Sequence, residues 1–167
     1  LIYEATDESR YILGELGTKN IICIGINPSI ASPEKLDPTS RIIKKKSLEL
    51  GYNGWLIINI YPQRATKPSD LKREMDEDDH KRNIHYIKNI TCVGDTVWAA
   101  WGSTINKRKY LRECMIDVCS LILDKQWISI GPLSIDGHPH HPLFVTEKTT
   151  PEEFDIKSYI KENRNFY

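Results

Sequence analysis

No apolar run in this chain approaches the roughly 20 residues that cross a bilayer. The opening Leu-Ile-Tyr-Glu-Ala-Thr-Asp also lacks the basic-then-apolar layout of a secretory signal. No membrane association is expected, and the chain reads as an unexported, cytoplasmic protein. An excess of charge of either sign is missing too: Lys plus Arg and Asp plus Glu both total 23. A near-neutral field gives no global pull toward nucleic acid or membrane, so any polyanion contact must come from local patches. Cysteine is scarce: Cys23, Cys92, Cys114 and Cys119 lie in or beside apolar stretches and lack the Cys-x-x-Cys spacing of a zinc or iron–sulfur site. They are expected to be reduced core residues. Repeats, low-complexity tracts and interdomain linkers are absent as well. What remains, 167 residues at 40% hydrophobic, suits one domain over 1–167 that buries a core without disulfides or a structural metal.

Apolar runs alternate with helix-like stretches, as a mostly parallel sheet flanked by helices requires. Ile21 to Ile26, Trp55 to Ile60, Thr96 to Trp101 and Gln126 to Ile130 read as four strands, the first stopped by Asn27-Pro28. Pro38 to Leu50 reads as an amphipathic helix carrying Ile42, Ile43, Leu48 and Leu50, with Asp37 as N-cap and Gly51 as stop. A second helix follows the acidic start Asp76 to Asp79, a cluster read as a solvated helix end rather than a ligand site. A third runs from Ser103 to about Leu121. The expected architecture is a three-layer α/β/α sandwich around a central, mostly parallel, four-stranded sheet over about 20–145. The tail 151–167, weakly helical at Phe154, Ile156, Tyr159 and Ile160, is expected to pack outside.

In such a sheet, ligands bind beyond the carboxyl ends of the strands, where Asn27, Asn59, Gly102 and the loop Gly137-His138-Pro139-His140-His141-Pro142 would emerge. Asn27-Pro28-Ser29 is either a strand-ending turn or part of a site. Asp37 with Arg41 is a helix start, or a place where Arg41 grips phosphate or carboxylate. Arg64, in the long irregular segment after the second strand, lines the same crevice or is solvated. His138 and His141 can dock a substrate, because histidine offers a neutral donor or a cation near neutral pH. Three histidines in four residues are compatible with a divalent metal, but no second ligand cluster accompanies them, and neither metal nor cofactor is expected. The basic runs Lys44-Lys45-Lys46 and Lys107-Arg108-Lys109 read chiefly as exposed helix faces. Trp98 and Trp101 should point to opposite faces, and Trp101 either packs in the core or stacks a base.

Gly25-Ile26-Asn27-Pro28-Ser29, Asp37-Pro38-Thr39 with Arg41, Ala100-Trp101-Gly102 and Gly137-His138-Pro139-His140-His141-Pro142-Leu143 together resemble an uncharacterised bacterial and phage domain family, DUF1643. The first and last of these motifs also resemble, more distantly, the two active-site motifs of the uracil-DNA glycosylase superfamily, especially its mismatch-specific branch. That likeness implies that Asn27 positions the attacking water and that His141 donates to the departing base. It also implies that Leu143 or Phe144 is the wedge filling the gap left by an extruded base. The water-activating Asp of the uracil-specific branch is absent after Gly25, as is the cysteine set of the iron–sulfur branch. Pro28, Ser29, Asp37, Arg41, Asn59, Arg64, Trp101, Gly102, His138 and His140 complete the expected substrate contacts. The leading expectation is a domain that binds a nucleobase, nucleotide or nucleic acid and hydrolyses an N-glycosidic bond. Its rivals are a non-catalytic binding module for a nucleotide-like ligand and a metal-dependent hydrolase. The sequence says nothing of oligomeric state.

Overall fold

The computed structural model of the protein describes residues 1–164. Seven strands form one sheet: β1 (Ile2–Ala5), β2 (Arg10–Glu15), β3 (Asn20–Gly25), β4 (Gly54–Asn59), β5 (Gly94–Ala99), β6 (Gln126–Ile130) and β7 (Pro151–Glu153). Their spatial order is β1-β2-β4-β3-β5-β6-β7. The four expected strands are its parallel centre, β4-β3-β5-β6. The expectation of four strands in all is corrected to seven, because β1, β2 and β7 add antiparallel edges. Both outermost strands are short, which limits the unpaired backbone open to another chain.

Among the described residues three helices connect the strands, α1 (Pro38–Glu49), α2 (Glu77–Ile90) and α3 (Tyr110–Ser120), and a fourth, α4 (Ile156–Arg164), follows β7. Side-chain alternation divides the core into two. Leu13, Ile21, Cys23, Trp55, Ile57 and Trp98 pack toward Ile43 of α1. Ile22, Ile24, Leu56, Ile58 and Val97 pack toward α2, α3 and α4 on the other face. Ile21, Ile22, Cys23 and Ile24 are wholly buried, as befits a strand covered on both faces. Trp98 and Trp101 do lie on opposite faces.

Local signals set the helix ends. The Asp37 carboxylate accepts from the Ser40 backbone N–H at 2.8 Å, Pro38 occupies the first turn, and Gly51 takes φ +92° beyond the end. The buried face of α1 is not the one its leucines suggest. Ser40, Ile43, Lys46 and Ser47 face inward, while Leu48 is largely exposed. Lys46 reaches the backbone carbonyls of Thr149 (2.6 Å) and Thr146 (3.3 Å), which satisfies its ammonium away from water. Asp76 caps α2, and the Asp79 carboxylate accepts from Ser9 and Tyr11, so this acidic start ties α2 to the sheet edge. The third expected helix is two pieces, a 3₁₀ turn Ser103–Lys107 and then α3.

The tail does not merely pack outside. β7 pairs with β6, and Trp101, Trp127, Phe154 and Tyr159 form one aromatic cluster with ring centroids 5.4–6.4 Å apart. The part of the tail expectation that falls on 165–167 lies outside the described residues. Cys23, Cys114 and Cys119 are buried as expected, whereas Cys92, in the turn after α2, is exposed. All four are free thiols. No helix among the described residues is long and apolar enough to cross a membrane.

Candidate functional site

The chain crosses from β3 through α1 to β4, then back over β3 through α2 to β5. The carboxyl end of β3 is therefore a topological switch point, where connections diverge to opposite faces and leave a crevice. A cavity of about 690 Å³ opens there, within the range of small-ligand sites. Its floor is Gly25, Ile57, Asn59 and Ala100, and its walls are the 26–30 segment, the start of α1 and the 134–144 loop.

The two motif loops line the same crevice. The Gly102 N–H donates to the Pro139 carbonyl at 2.9 Å, docking the histidine loop on the end of β5. Gly102 has φ +67° and ψ −169°, backbone that glycine alone adopts readily, and His141 packs over it. On the other wall, the Ile60 and Tyr61 N–H groups donate to the Gly25 and Ile26 carbonyls, so the 26–30 segment follows the chain leaving β4.

Asn27 is half-buried in the crevice wall. Its Nδ2 donates to the carbonyls of Ala65 (2.9 Å), Pro28 (3.0 Å) and Gln63 (3.5 Å). Three surrounding acceptors fix which end of the amide is nitrogen. The oxygen Oδ1 is left with no donor among the described residues, an acceptor held rigidly by its own amide.

His141 caps the 3₁₀ turn Pro142–Phe144, its Nδ1 accepting from the Leu143 N–H at 3.2 Å. An Nδ1 that accepts carries no proton, so the ring hydrogen sits on Nε2. Burial pushes the imidazole pKa below its ordinary value against a smaller upward pull from Asp37. A neutral ring with Nε2–H as its donor is the form present near neutral pH.

Pro28, Ser29, Asp37, Asn59, Gly102, His138 and His140 also line the crevice, and so do Leu143 and Phe144, which are 58% and 69% exposed at its rim. Ser29 Oγ lies 3.3 Å from Thr66 Oγ1 across the mouth. Asp37 is the sole carboxylate among the lining residues and is engaged in capping α1. His138 is buried with both nitrogens occupied, Nδ1 meeting Tyr159 Oη at 2.7 Å and Nε2 meeting Asn106 Nδ2 at 3.4 Å. Desolvation, reinforced by Arg112, lowers its pKa against the opposing pull of Asp136. His140 rests on the Phe144 ring at 5.1 Å.

Three expected contacts lie elsewhere. Trp101 is wholly buried and donates from Nε1 to Tyr159 Oη at 2.9 Å, a core role that leaves no ring face for a base. Arg41 is exposed, its guanidinium turned back to the Leu36 carbonyl at 2.7 Å. Arg64 braces the fold, donating to Ser29 O (2.9 Å), Ala31 O (3.5 Å), Thr6 O (3.4 Å) and Tyr3 Oη (2.6 Å). Among the described residues no three His, Cys, Asp or Glu side chains converge as a metal-ion group.

One charged lining residue is absent from the sequence-based expectations. Arg10 opens β2, which runs antiparallel to β4, so its first residue lies at the carboxyl end of the parallel strands. It is 3% exposed, its Nη1 donates to the Ala31 carbonyl at 3.3 Å, and its Nε is buried without a partner. Burial drives its pKa down to about 10, with Arg64 adding to the fall and Asp37 opposing it. The run Tyr11-Ile12-Leu13 is the only sequence signal for a strand here, too short to separate from loop by periodicity.

Among proteins of curated function no match was found, and no solved structure matched the chain. A family model described as "Protein of unknown function (DUF1643)" matches residues 10–143, from the buried Arg10 to the crevice-rim Leu143. The chain therefore belongs to the DUF1643 family.

Proposed function

We propose that this chain is a uracil-DNA-glycosylase-like hydrolase that takes a nucleobase into the crevice and cleaves its N-glycosidic bond. The observation that carries the reading is the hydrogen bond from the Leu143 N–H to His141 Nδ1, which leaves the Nε2–H of a neutral ring to donate. Such a donor suits a base carbonyl oxygen that gains charge as the bond breaks. Asn27 Oδ1 supplies a fixed acceptor for a water in the same crevice. In the reaction, the water oxygen bonds to the anomeric carbon while the carbon–nitrogen bond breaks and its electron pair leaves with the base. The water proton ends on the departing base. Asn27 orients that water but cannot take its proton, so catalysis rests on positioning and on the His141 donor. The exposed Leu143 and Phe144 at the rim supply apolar surface for insertion beside an extruded nucleotide.

A second reading, a binding module without catalysis, is favoured by one observation. The crevice's lone carboxylate, Asp37, is used as a helix cap and offers no general base.

Release of free base decides between them, measured on duplex and single-stranded oligonucleotides carrying uracil, hypoxanthine, xanthine or mismatches. Removing one oriented donor of this kind lowers turnover by roughly 10²–10³, so His141→Ala is expected to lose base release on that scale, and Asn27→Ala, which removes the acceptor that orients the water, is expected to lower it as well. Binding without release from any substrate would leave the module reading and remove the hydrolase.

A further inference from the structure

Arg10 and Asn59 line the crevice with donors that no described residue accepts. Asn59 is 2% exposed, and its Nδ2 is buried without a partner, although its backbone carbonyl accepts from Asn83. The Arg10 side chain is equally buried, makes one hydrogen bond among the described residues, to the Ala31 carbonyl, and leaves Nε unpartnered. Among the described residues no carboxylate comes within ion-pair distance, 4.0 Å, of its guanidinium. Buried arginines are ordinarily paired, and buried amide donors ordinarily find acceptors. Two such exceptions in the lining of one cavity have a common remedy, an anion bearing several acceptor oxygens. The start of α1 borders the same cavity and adds its positive dipole end.

We propose that Arg10 and Asn59 form an anion subsite that holds the terminal phosphate of a mononucleotide-sized ligand. The proposal rests on the nucleobase reading of this crevice for the rest of the ligand and narrows that ligand to a free mononucleotide rather than a nucleotide extruded from a polymer. Arg10 supplies charge and a forked donor, and Asn59 supplies one further N–H. A terminal phosphate fits better than the backbone of a duplex. The subsite lies in the lining of a crevice, where both side chains are buried, and the chain, with 23 cationic and 23 anionic residues, provides no general attraction for a polyanion.

The test compares, on the full chain, binding of inorganic phosphate, a deoxynucleoside 5′-monophosphate, the matching nucleoside, and a single-stranded oligonucleotide with blocked ends. Calorimetry supplies the affinities and thermal unfolding an independent readout. The monophosphate is expected to bind more tightly than the nucleoside by on the order of tenfold to a hundredfold, the worth of hydrogen bonds to a charged group. That gap should close in Arg10→Met and in Asn59→Asp, the second of which keeps side-chain volume and sets a carboxylate against the phosphate. Arg10→Lys should restore only part of it, because an ammonium lacks the fork. Should Arg10→Met fail to fold, Asn59→Asp alone carries the comparison. Equal binding of nucleoside and monophosphate overturns the subsite, as does a gap that persists in the variants or affinity confined to the oligonucleotide. Phosphate that raises the melting temperature of the native chain but of neither variant supports the subsite even when no base is released. Failure of the glycosylase reading is therefore separately visible.

Discussion

Arg10→Met should make the protein more stable when no anion is present. In the folded chain the guanidinium is 3% exposed and its pKa falls to about 10. A drop of that size from the ordinary arginine value corresponds to about 3 kcal/mol borne by the charged form. The sign follows from linkage: the folded state holds the proton less tightly than the unfolded state does, so the penalty is present at every pH below about 10. Methionine fills a similar elongated space without charge. The substitution also removes the hydrogen bond to the Ala31 carbonyl, worth about 1 kcal/mol. That carbonyl is not orphaned, since Arg64 Nη1 lies 3.5 Å from it. The net expectation is a gain of about 1–2 kcal/mol, which for a chain of this length raises the melting temperature by about 2–8 °C. Urea and thermal unfolding in phosphate-free buffer provide the measurement. A variant less stable than the native chain by 1 kcal/mol or more would refute the reasoning, since Arg10 would then be a strut and its burial no sign of an absent partner.

Gly102→Ala places a side chain where φ is +67° and ψ −169°, with His141 Cβ 3.5 Å from the new methyl, so strain rather than collision decides the outcome. It should lose about 1–3 kcal/mol by denaturant unfolding and shift His141 in a crystal structure of the variant. Acid should weaken the fold through His138 and His141. Both pKa values are lowered, so the unfolded chain takes up protons first, and stability should fall as pH drops below about 6.5. A melting temperature flat from neutral pH down to the carboxylate range would count against that. Base release should hold steady above the lowered His141 pKa and change only below it, as a pH–rate profile would record.

Signals confined to a few neighbouring residues gave the correct local result. Asp37, Pro38 and Gly51 bound α1 because a cap, a fixed φ and a positive φ act within one turn. The β-branched run at Ile21 declared a strand buried on both faces, and the pause at Asn27-Pro28 located the crevice loop. The leucines of α1 misled about its inner face, because Lys46 and Ser47 find backbone carbonyls that no helical pattern reveals. The edges were illegible for a related reason. β2 and β7 owe their existence to pairing with β4 and β6, partners about 40 and 20 residues away along the chain.

The same division runs through the site. The sequence alone determined which residue types stand at the strand ends, and hence that Asn27, Asn59, Gly102 and the histidine loop border one crevice, because a parallel sheet delivers its carboxyl ends to one side. Only the tertiary structure decided what each side chain is free to do. Asn27 has its amide nitrogen consumed by Ala65 and His141 has its Nδ1 consumed by Leu143, while His138 is spent on Tyr159 and Arg64 on four acceptors. Arg10 enters the crevice because β2 runs antiparallel to β4 and so begins at the carboxyl end of the parallel strands. Hydrogen-bond occupancy and burial are properties of the whole packed chain, and no window of local sequence contains them.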